Sequence, residues 1–303
     1  MVDIAVRLPG PTFLGTPILY VTPPVGALQY GSSAEASKHL CVSVARDKVF
    51  LEMTRLTIQA VRICFGCFCA YATLPLLAQS LPRYDIFRTP GPIEIDGKLD
   101  EAAWKQASPV GDFHFNWWTA GPKEPTVAKM LWDDENLYVG FYCHDKNISG
   151  EVVKRHGPVS LDDSAEAFIS PNPEKIRNYY GFEINVLGTM LNFLRADWYK
   201  GPFNWEPVGV RYRTSFHGQP VKHDSPDDDH WILELAIPFR NFDKDAANTP
   251  PKSGDTWRLN LNRAGGKTNA QYSTWSPVST EKPNFHVPES FGWVRFVNRP
   301  PGK

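Results

Sequence analysis

The chain has 303 residues, of which 42% are hydrophobic and 13% aromatic, and its formal net charge at pH 7 is −1. This length allows one large domain or two small ones, and 10 Trp and 18 Phe residues can supply a substantial core. The near-neutral charge gives no basic field for a nucleic-acid partner, and 27 Pro with 22 Gly residues favour an all-β protein over a helical bundle.

The first segment with an interpretable pattern is residues 53–80. It has a basic start at Arg55, an apolar centre and small residues near Ala78, as a secretory signal peptide does. An uncleaved membrane anchor is the alternative, which Arg62 and Pro75 disfavour as a spanning helix. We therefore expect an exported protein, periplasmic or extracellular.

Residues 1–52 precede this predicted signal, although a signal is expected at the amino terminus. They lack sustained helical or strand periodicity and contain scattered Pro and Gly. We predict that Met53 is the real start and that 1–52 is an over-extended, disordered leader. The mature domain is then expected at residues 82–298.

Regular alternation of apolar and polar residues begins after the signal and predicts strands. The only predicted helix is Asp100–Gln106, with Asp100 as its cap. Short strands with turn residues between them predict an all-β fold, a two-sheet antiparallel β-sandwich of immunoglobulin-like or jelly-roll type with one short helix. The predicted strands are Val127–Trp132, Leu137–Cys143, Ser164–Ser170, Tyr180–Val186, Met190–Arg195, Val208–Phe216, Trp231–Ile237, Trp257–Arg263 and Trp293–Val297.

The alternation also assigns the two faces of each strand. Phe182, Ile184 and Val186 form an inward row, which leaves Glu183 on the other side. In the same way Asn260 and Asn262 lie opposite an apolar row. Asn, Glu and Arg side chains can make several hydrogen bonds to vicinal hydroxyls, so adjacent rows of this kind predict a polar recognition face, with ordinary solvated positions as the alternative.

Aromatic residues in the predicted loops are the second expected part of a sugar site. A pyranose ring has a flat C–H face that packs on an aromatic ring, while its rim needs hydrogen bonds. The loop aromatics are Trp117, Trp118, Trp198, Tyr199, Phe203, Trp205 and Phe285.

Five segments together resemble family 9 carbohydrate-binding modules, which belong to the DOMON-like superfamily. The resemblance covers about Pro92 to Val297, and its motifs occur in the family's order. The segments are Ile95–Trp104, Leu131–Val139, Asp163–Ile169, Trp275-Ser276 and Pro288–Gly292.

The resemblance implies a DOMON-like β-sandwich that binds poly- or oligosaccharide ends between two aromatic rings and often accompanies glycoside hydrolases such as xylanases. It places Phe285 at one sandwiching position, and Glu166 and Asn260 at sugar-bonding sheet positions. Two positions depart from the pattern. Ser160 stands where the second ring is expected, so that Trp198 or Trp205 would have to replace it, and Glu183 stands where a basic residue is expected.

Two further chemistries remain open as alternatives. Glu166 and Glu183 could face each other on adjacent strands as a glycoside hydrolase pair, although on an open sheet we expect no burial to raise either pKa. The DOMON-like class also contains haem and electron-transfer modules. Candidate axial ligands for a haem are Met130, Met190, His144 and His217.

Metal chemistry is expected at most as structural calcium. Asp145 and Asp163 are oxygen donors near loop bases, as the resemblance suggests for some relatives. Zinc is not expected, because Cys64 and Cys67 lie in the signal and no second ligand pair follows at usable spacing.

We therefore predict a non-catalytic, monomeric carbohydrate-binding domain with no nucleic-acid partner and no certain cofactor. Its predicted sugar-binding residues are Glu166, Asn260, Phe285, Glu183, Asn262, Trp198 and Trp205.

Overall fold

A computed structural model describes residues 80–196, 205–220 and 225–299. All of them belong to one compact unit of the chain, Leu77–Lys303. The predicted leader 1–52, residues 53–79 of the predicted signal, and Trp198 lie outside the described residues, so those predictions stay predictions. No helix in the described ranges has the length and apolar character needed to cross a membrane.

The described chain forms eleven strands and one short helix. Four single-turn 3₁₀ segments interrupt the loops, at Val159–Leu161, Pro173–Lys175, Phe239–Phe242 and Pro288–Ser290. The strands are β1 (Arg83–Arg88), β2 (Thr126–Trp132), β3 (Asn136–His144), β4 (Ser164–Ser170), β5 (Tyr179–Asn185), β6 (Met190–Arg195), β7 (Arg211–His217), β8 (His230–Pro238), β9 (Thr256–Gly265), β10 (Gln271–Thr274) and β11 (Gly292–Val297), and the helix is α1 (Ala102–Gln106).

The strands form one curled sheet in the order β6-β5-β4-β9-β11-β1-β2-β3-β8-β7, with β10 paired to β9. Strands β4, β5 and β9 contribute buried apolar residues to the same core cluster as β2, β3 and β8, so the two halves of the sheet pack face to face. This arrangement confirms the predicted β-sandwich. One detail differs from an antiparallel plan, because β1 pairs in parallel with both β11 and β2.

The predicted inward rows form this core. Phe182, Ile184, Leu233 and Leu235 are all fully buried, as period-two alternation requires for a sheet with one face on the core. Trp257 packs edge-on against Phe296 at a ring separation of 4.9 Å. Burial of this apolar area is the main stabilising contribution to the fold.

A buried glutamate fastens the Ile95–Trp104 segment to the sheet. The Glu234 carboxylate on β8 accepts hydrogen bonds from the backbone N–H groups of Asp96 (3.0 Å) and Gly97 (3.1 Å) and from Trp104 Nε1 (2.9 Å). Helix α1 begins one residue later than the cap prediction required, since Glu101 rather than Asp100 occupies the N-cap position and makes no side-chain capping bond. Glu234 therefore holds the Ile95–Trp104 segment on the sheet, and we call these three hydrogen bonds the Glu234 clamp.

Candidate functional site

A row of three polar side chains crosses the outer side of the β9-β4-β5 sheet. Glu166 on β4 lies directly opposite Glu183 on β5 and Asn262 on β9. Directly opposed residues on neighbouring strands project to the same face with β-carbons about 5 Å apart. Asn262 Nδ2 donates to Glu166 Oε2 at 3.4 Å, a long hydrogen bond.

This face is not open, contrary to our expectation. Glu166 is 2% exposed, Glu183 is 7% exposed, and Asn262 is fully buried. A second apolar cluster, packed outside the sheet, lies beside the row; its buried members are Phe168, Tyr179, Phe193, Phe285 and Phe291. The expectation failed because the covering segments come from distant parts of the sequence, which strand alternation alone does not reveal.

Burial changes the titration of both glutamates. It raises the pKa of Glu183 to about 7, with Arg195 opposing the change. Burial, and secondly the charge of Glu183, raise the pKa of Glu166 well above its usual range. Two carboxyl groups this close cannot both ionise easily, so the pair holds a proton near neutral pH.

An aromatic wall stands beside the polar row. Phe285 packs against Trp117 at a ring separation of 5.9 Å and against Tyr272 at 6.0 Å. Phe193 lies over Gly181, where an added β-carbon would be 2.1 Å from the Phe193 ring. The glycine therefore allows the ring to approach the sheet closely.

His286 joins the wall to the floor of the site. Its ring stacks on Phe168 with centroids 4.9 Å apart, and its Nδ1 lies 3.0 Å from the Tyr179 hydroxyl. Burial, and secondly the charge of Arg195, lower the pKa of His286 to about 4. The imidazole is therefore neutral near pH 7 and adds hydrogen-bonding capacity without charge.

These elements enclose a cleft of about 740 Å³, within the usual range for small-ligand sites. It brings together three predicted site residues, Glu166, Glu183 and Phe285. Ser160, which the resemblance places at the expected position of the second ring, also lines the cleft. Sequence reasoning missed the other lining residues, which lie in loops or on the strands β6 and β10. They are His156, Pro158, Leu161, Leu191, Asn192, Phe193, Arg195, Tyr272, Pro283, Asn284 and His286.

A residue that sequence reasoning missed, Leu161, lies next to the expected position of the second ring. Ser160 lines the cleft, and its neighbour Leu161 is 59% exposed there. Leu161 offers an apolar surface on the 3₁₀ segment that leads into β4. The cleft thus has a ring in Phe285 and an aliphatic side chain in Leu161.

Two predicted site residues lie elsewhere. Asn260 is fully buried beneath the face, where its Nδ2 donates to the Ser276 carbonyl (3.0 Å) and its Oδ1 accepts from Ser276 N–H (2.8 Å). Trp205 packs on the core side, edge-on to Tyr180 with ring centroids 5.0 Å apart. Neither lines the cleft, because Asn260 is saturated by backbone partners and the Trp205 ring is held by the core.

The predicted calcium ligands have other partners. Arg263 Nη2 donates to Asp145 Oδ2 at 2.8 Å, and both side chains are 1% exposed. Asp163 accepts from Ser149 N–H (2.6 Å), Ser149 Oγ (3.0 Å) and Gly266 N–H (2.9 Å). Calcium needs six to eight oxygen ligands, and the described residues contain no group of three or more His, Cys, Asp or Glu side chains that could hold a metal. This donor set does not fit a calcium ion, and Arg263 supplies the positive charge.

The candidate haem ligands do not converge either. Met130 and Met190 are buried in the main core, whereas His144 and His217 are exposed at strand ends. A haem needs axial ligands aimed at one iron. The described residues give no support to the haem alternative.

A β-sandwich whose cleft combines a polar row with aromatic rings is the architecture expected of a carbohydrate-binding module. The family model for carbohydrate-binding family 9 matches residues 98–296, about two thirds of the chain. The chain belongs to that family.

Curated relatives match over a shorter stretch. An endo-1,4-β-xylanase A from Thermoanaerobacterium saccharolyticum is 33% identical over 86 residues, and the exoglucanase XynX from Acetivibrio thermocellus is 34% identical over 86 residues. In each case the match covers 28% of this chain and only 7% of the relative.

Solved structures match the fold over most of the described chain. A candidate carbohydrate-binding protein from Bacteroides uniformis has a TM-score of 0.61 at 21% identity, with 72% of this chain and 100% of the other covered. A family 9 module from Caldicellulosiruptor kristjanssonii, solved with cellotriose, has a TM-score of 0.51 at 16% identity, covering 72% and 94%. At sequence identities this low, the similarity to these two structures shows a shared fold and nothing about the ligand.

Proposed function

We propose that this domain binds a poly- or oligosaccharide non-covalently in the cleft between Glu166, Glu183 and Phe285. The observation that carries the proposal is the juxtaposition of a buried polar row with an aromatic wall in one cleft. Sugar recognition needs both parts, hydrogen bonds to the hydroxyl rim and a flat apolar surface for the C–H face. Family membership supports the same ligand class.

The roles of the individual side chains follow from their chemistry. Glu166 and Glu183 accept hydrogen bonds from sugar hydroxyls, or donate one while they hold a proton. The Phe285 ring packs on one face of the sugar, and Leu161 packs on the other face in place of a second ring. Asn262, the cross-strand neighbour of Glu166, donates a hydrogen bond that orients the Glu166 carboxyl group.

Catalysis is not part of the proposed function. Glycoside hydrolysis uses two carboxyl groups that flank the scissile bond from different sides. Glu166 and Glu183 project side by side from one sheet face, so both approach a ligand from the same side. Reducing-sugar release from xylan or cellulose by the full chain is expected to equal a buffer blank, and release above that blank would restore the hydrolase alternative.

The biological setting is proposed from the relatives and the predicted signal. Both curated relatives are polysaccharide hydrolases by name. An exported, monomeric binding domain that acts alongside glycoside hydrolases on plant or microbial polysaccharide fits these observations. Detection of the mature chain outside the cytoplasm, with an amino terminus near residue 80, tests the export part.

Calorimetric titration of the full chain with cellotriose and xylotriose tests the binding site. Phe285→Leu keeps an apolar side chain but removes the ring, and we expect it to weaken binding by about five- to tenfold, since ring packing contributes on the order of 1 kcal/mol. Trp118→Leu is the matched control, because Trp118 is an exposed ring outside the cleft lining. Equal affinities for wild type and the Phe285 variant would contradict the assignment.

A further inference from the structure

Glu166 and Glu183, the carboxyl pair on the cleft floor, have more acceptor oxygens than the surrounding protein has donors to fill them. Glu183 is 7% exposed and lines the cleft. Within the described part of the chain, no donor makes a hydrogen bond to either of its carboxyl oxygens, while Glu166 receives only the 3.4 Å bond from Asn262. A buried carboxyl group without donors costs free energy, so the missing donors are expected to arrive with the ligand.

The charges that face the pair leave it net negative when both carboxyl groups are ionised. Among the described residues that line the cleft, Arg195 is the only Lys or Arg. The depressed pKa of His286 keeps that ring neutral, and burial raises the pKa of Tyr179 above its usual range, so its hydroxyl stays protonated. At the rim, Glu206 is the partner of both Arg155, at 2.9 Å, and the lining residue His156, whose Nε2 lies 2.6 Å from Glu206 Oε1. Two carboxyl groups therefore face one guanidinium.

A sugar hydroxyl brings one donor and no charge, whereas a primary ammonium brings three donors and a positive charge. We propose that the cleft selects saccharides with a free amino-sugar residue, whose protonated amine lies between the carboxyl groups of Glu166 and Glu183. This inference rests on the proposed function and specifies its ligand class. The N-acetylated form of the same sugar has neither the charge nor the three donors, so the site discriminates against it.

The proposal predicts a pH dependence with a definite sign. A cationic ligand favours the ionised form of both carboxyl groups, whereas burial favours the protonated form. Affinity for the amine is therefore expected to be weakest near pH 5 and to rise as the pH approaches 7, with net proton release to the buffer on binding. Affinity for a neutral sugar is expected to change much less over the same range.

Titration of the full chain with three sugars tests the proposal: 2-amino-2-deoxyglucose, its N-acetyl derivative and glucose, at pH 7 and low salt. We expect wild type to bind the amine at least about tenfold more tightly than glucose, an effect of the size expected for a partly buried ion pair. The N-acetyl sugar should bind no more tightly than glucose. Glu183→Gln should reduce the ratio of the amine affinity to the glucose affinity to within about twofold, because both affinities are measured on the same variant and only the amine loses an ion pair.

Glu135→Gln is the matched control, because it removes the same charge from an exposed position in the β2–β3 turn, outside the cleft lining. It should retain the full preference. Equal binding of all three sugars, or a preference that survives Glu183→Gln, would overturn the amine proposal and leave the proposed function intact. Failure of folded wild type to bind any saccharide would overturn both.

Discussion

Two buried glutamates at the polar positions of alternating strands have opposite surroundings. Glu234 on β8 is fully buried and accepts three hydrogen bonds, one from an indole and two from backbone N–H groups. Glu183 on β5 is nearly as buried, yet the described residues donate no hydrogen bond to it. Burial raises the pKa of each to about 7.

The comparison teaches that burial and titration alone do not separate a structural carboxylate from one that awaits a ligand. The number of protein donors does. Glu234 uses its acceptors to hold the Ile95–Trp104 segment on the sheet, so its hydrogen bonds contribute to folding. Glu183 keeps its acceptors available on the floor of the cleft, where a ligand can supply donors.

The largest expected effect is the loss of the Glu234 clamp. Glu234→Ala leaves the Trp104 indole and two backbone N–H groups without their acceptor, and we expect the free energy of unfolding to fall by about 3 kcal/mol. Urea denaturation followed by Trp fluorescence measures this. Sugar affinity of the folded variant should remain that of wild type.

Glu234→Gln is the conservative control, since its amide oxygen still accepts one or two of these bonds, and a loss of about 1 kcal/mol is expected. If Glu234→Ala cost no more than this control, the clamp would not distinguish Glu234 from Glu183.

The second prediction is that a substitution of Glu183 stabilises the protein, whereas the substitutions of Glu234 destabilise it. The unfolded chain releases this proton near pH 4.5 and the folded chain near 7, so the wild type binds more protons when folded and loses stability as pH rises through that window. Glu183→Gln cannot titrate. We expect it to be more stable than wild type by about 1–3 kcal/mol at pH 8 and equal to it at pH 4.

Denaturation of both proteins at the two pH values checks this prediction. His286 titrates alike in both proteins and cancels in the difference. Glu166 does not cancel, because the charge of Glu183 raises its pKa; loss of that repulsion in the variant adds to the stability gain expected at pH 8. A destabilised Glu183→Gln variant at pH 8 would mean that donors satisfy this carboxylate after all.

The smallest expected effect concerns Asp163, a third buried carboxylate. Like Glu234, and unlike Glu183, it accepts hydrogen bonds from several protein donors. Because N–H and hydroxyl donors occupy both of its oxygens, removal of divalent ions should leave the melting temperature unchanged within about 1 °C. A scan with and without EDTA measures it. A drop of several degrees would establish a calcium site that the present donor set does not provide.

Much of the fold could be predicted from alternation. The rows of β5, β8 and β9 identify their core faces directly. Strand β10, only four residues long, was missed because it has too few residues to show a period. Strand β1 was missed because its pairing in parallel with β11 joins segments about 200 residues apart, and nothing local in a sequence encodes such a partner.

The site was predictable only in part, for a related reason. The register of β4, β5 and β9 follows from the strands, and with the resemblance it gave Glu166, Glu183, Asn262 and Phe285. The cover over that row comes from loops, and sequence reasoning therefore described an open sheet and missed Leu161. The structure places Asn260 and Trp205 outside the cleft lining, because the hydrogen bonds of Asn260 to Ser276 and the packing of Trp205 on Tyr180 are tertiary contacts that strand alternation does not reveal.

A crystal structure of the full chain grown with a bound saccharide tests the central claim most directly. The account predicts a sugar in the cleft, with a hydroxyl or amine within about 3 Å of a carboxyl oxygen of Glu166 or Glu183 and a ring face on Phe285. A saccharide bound at another surface, with water alone beside these two glutamates, would contradict it.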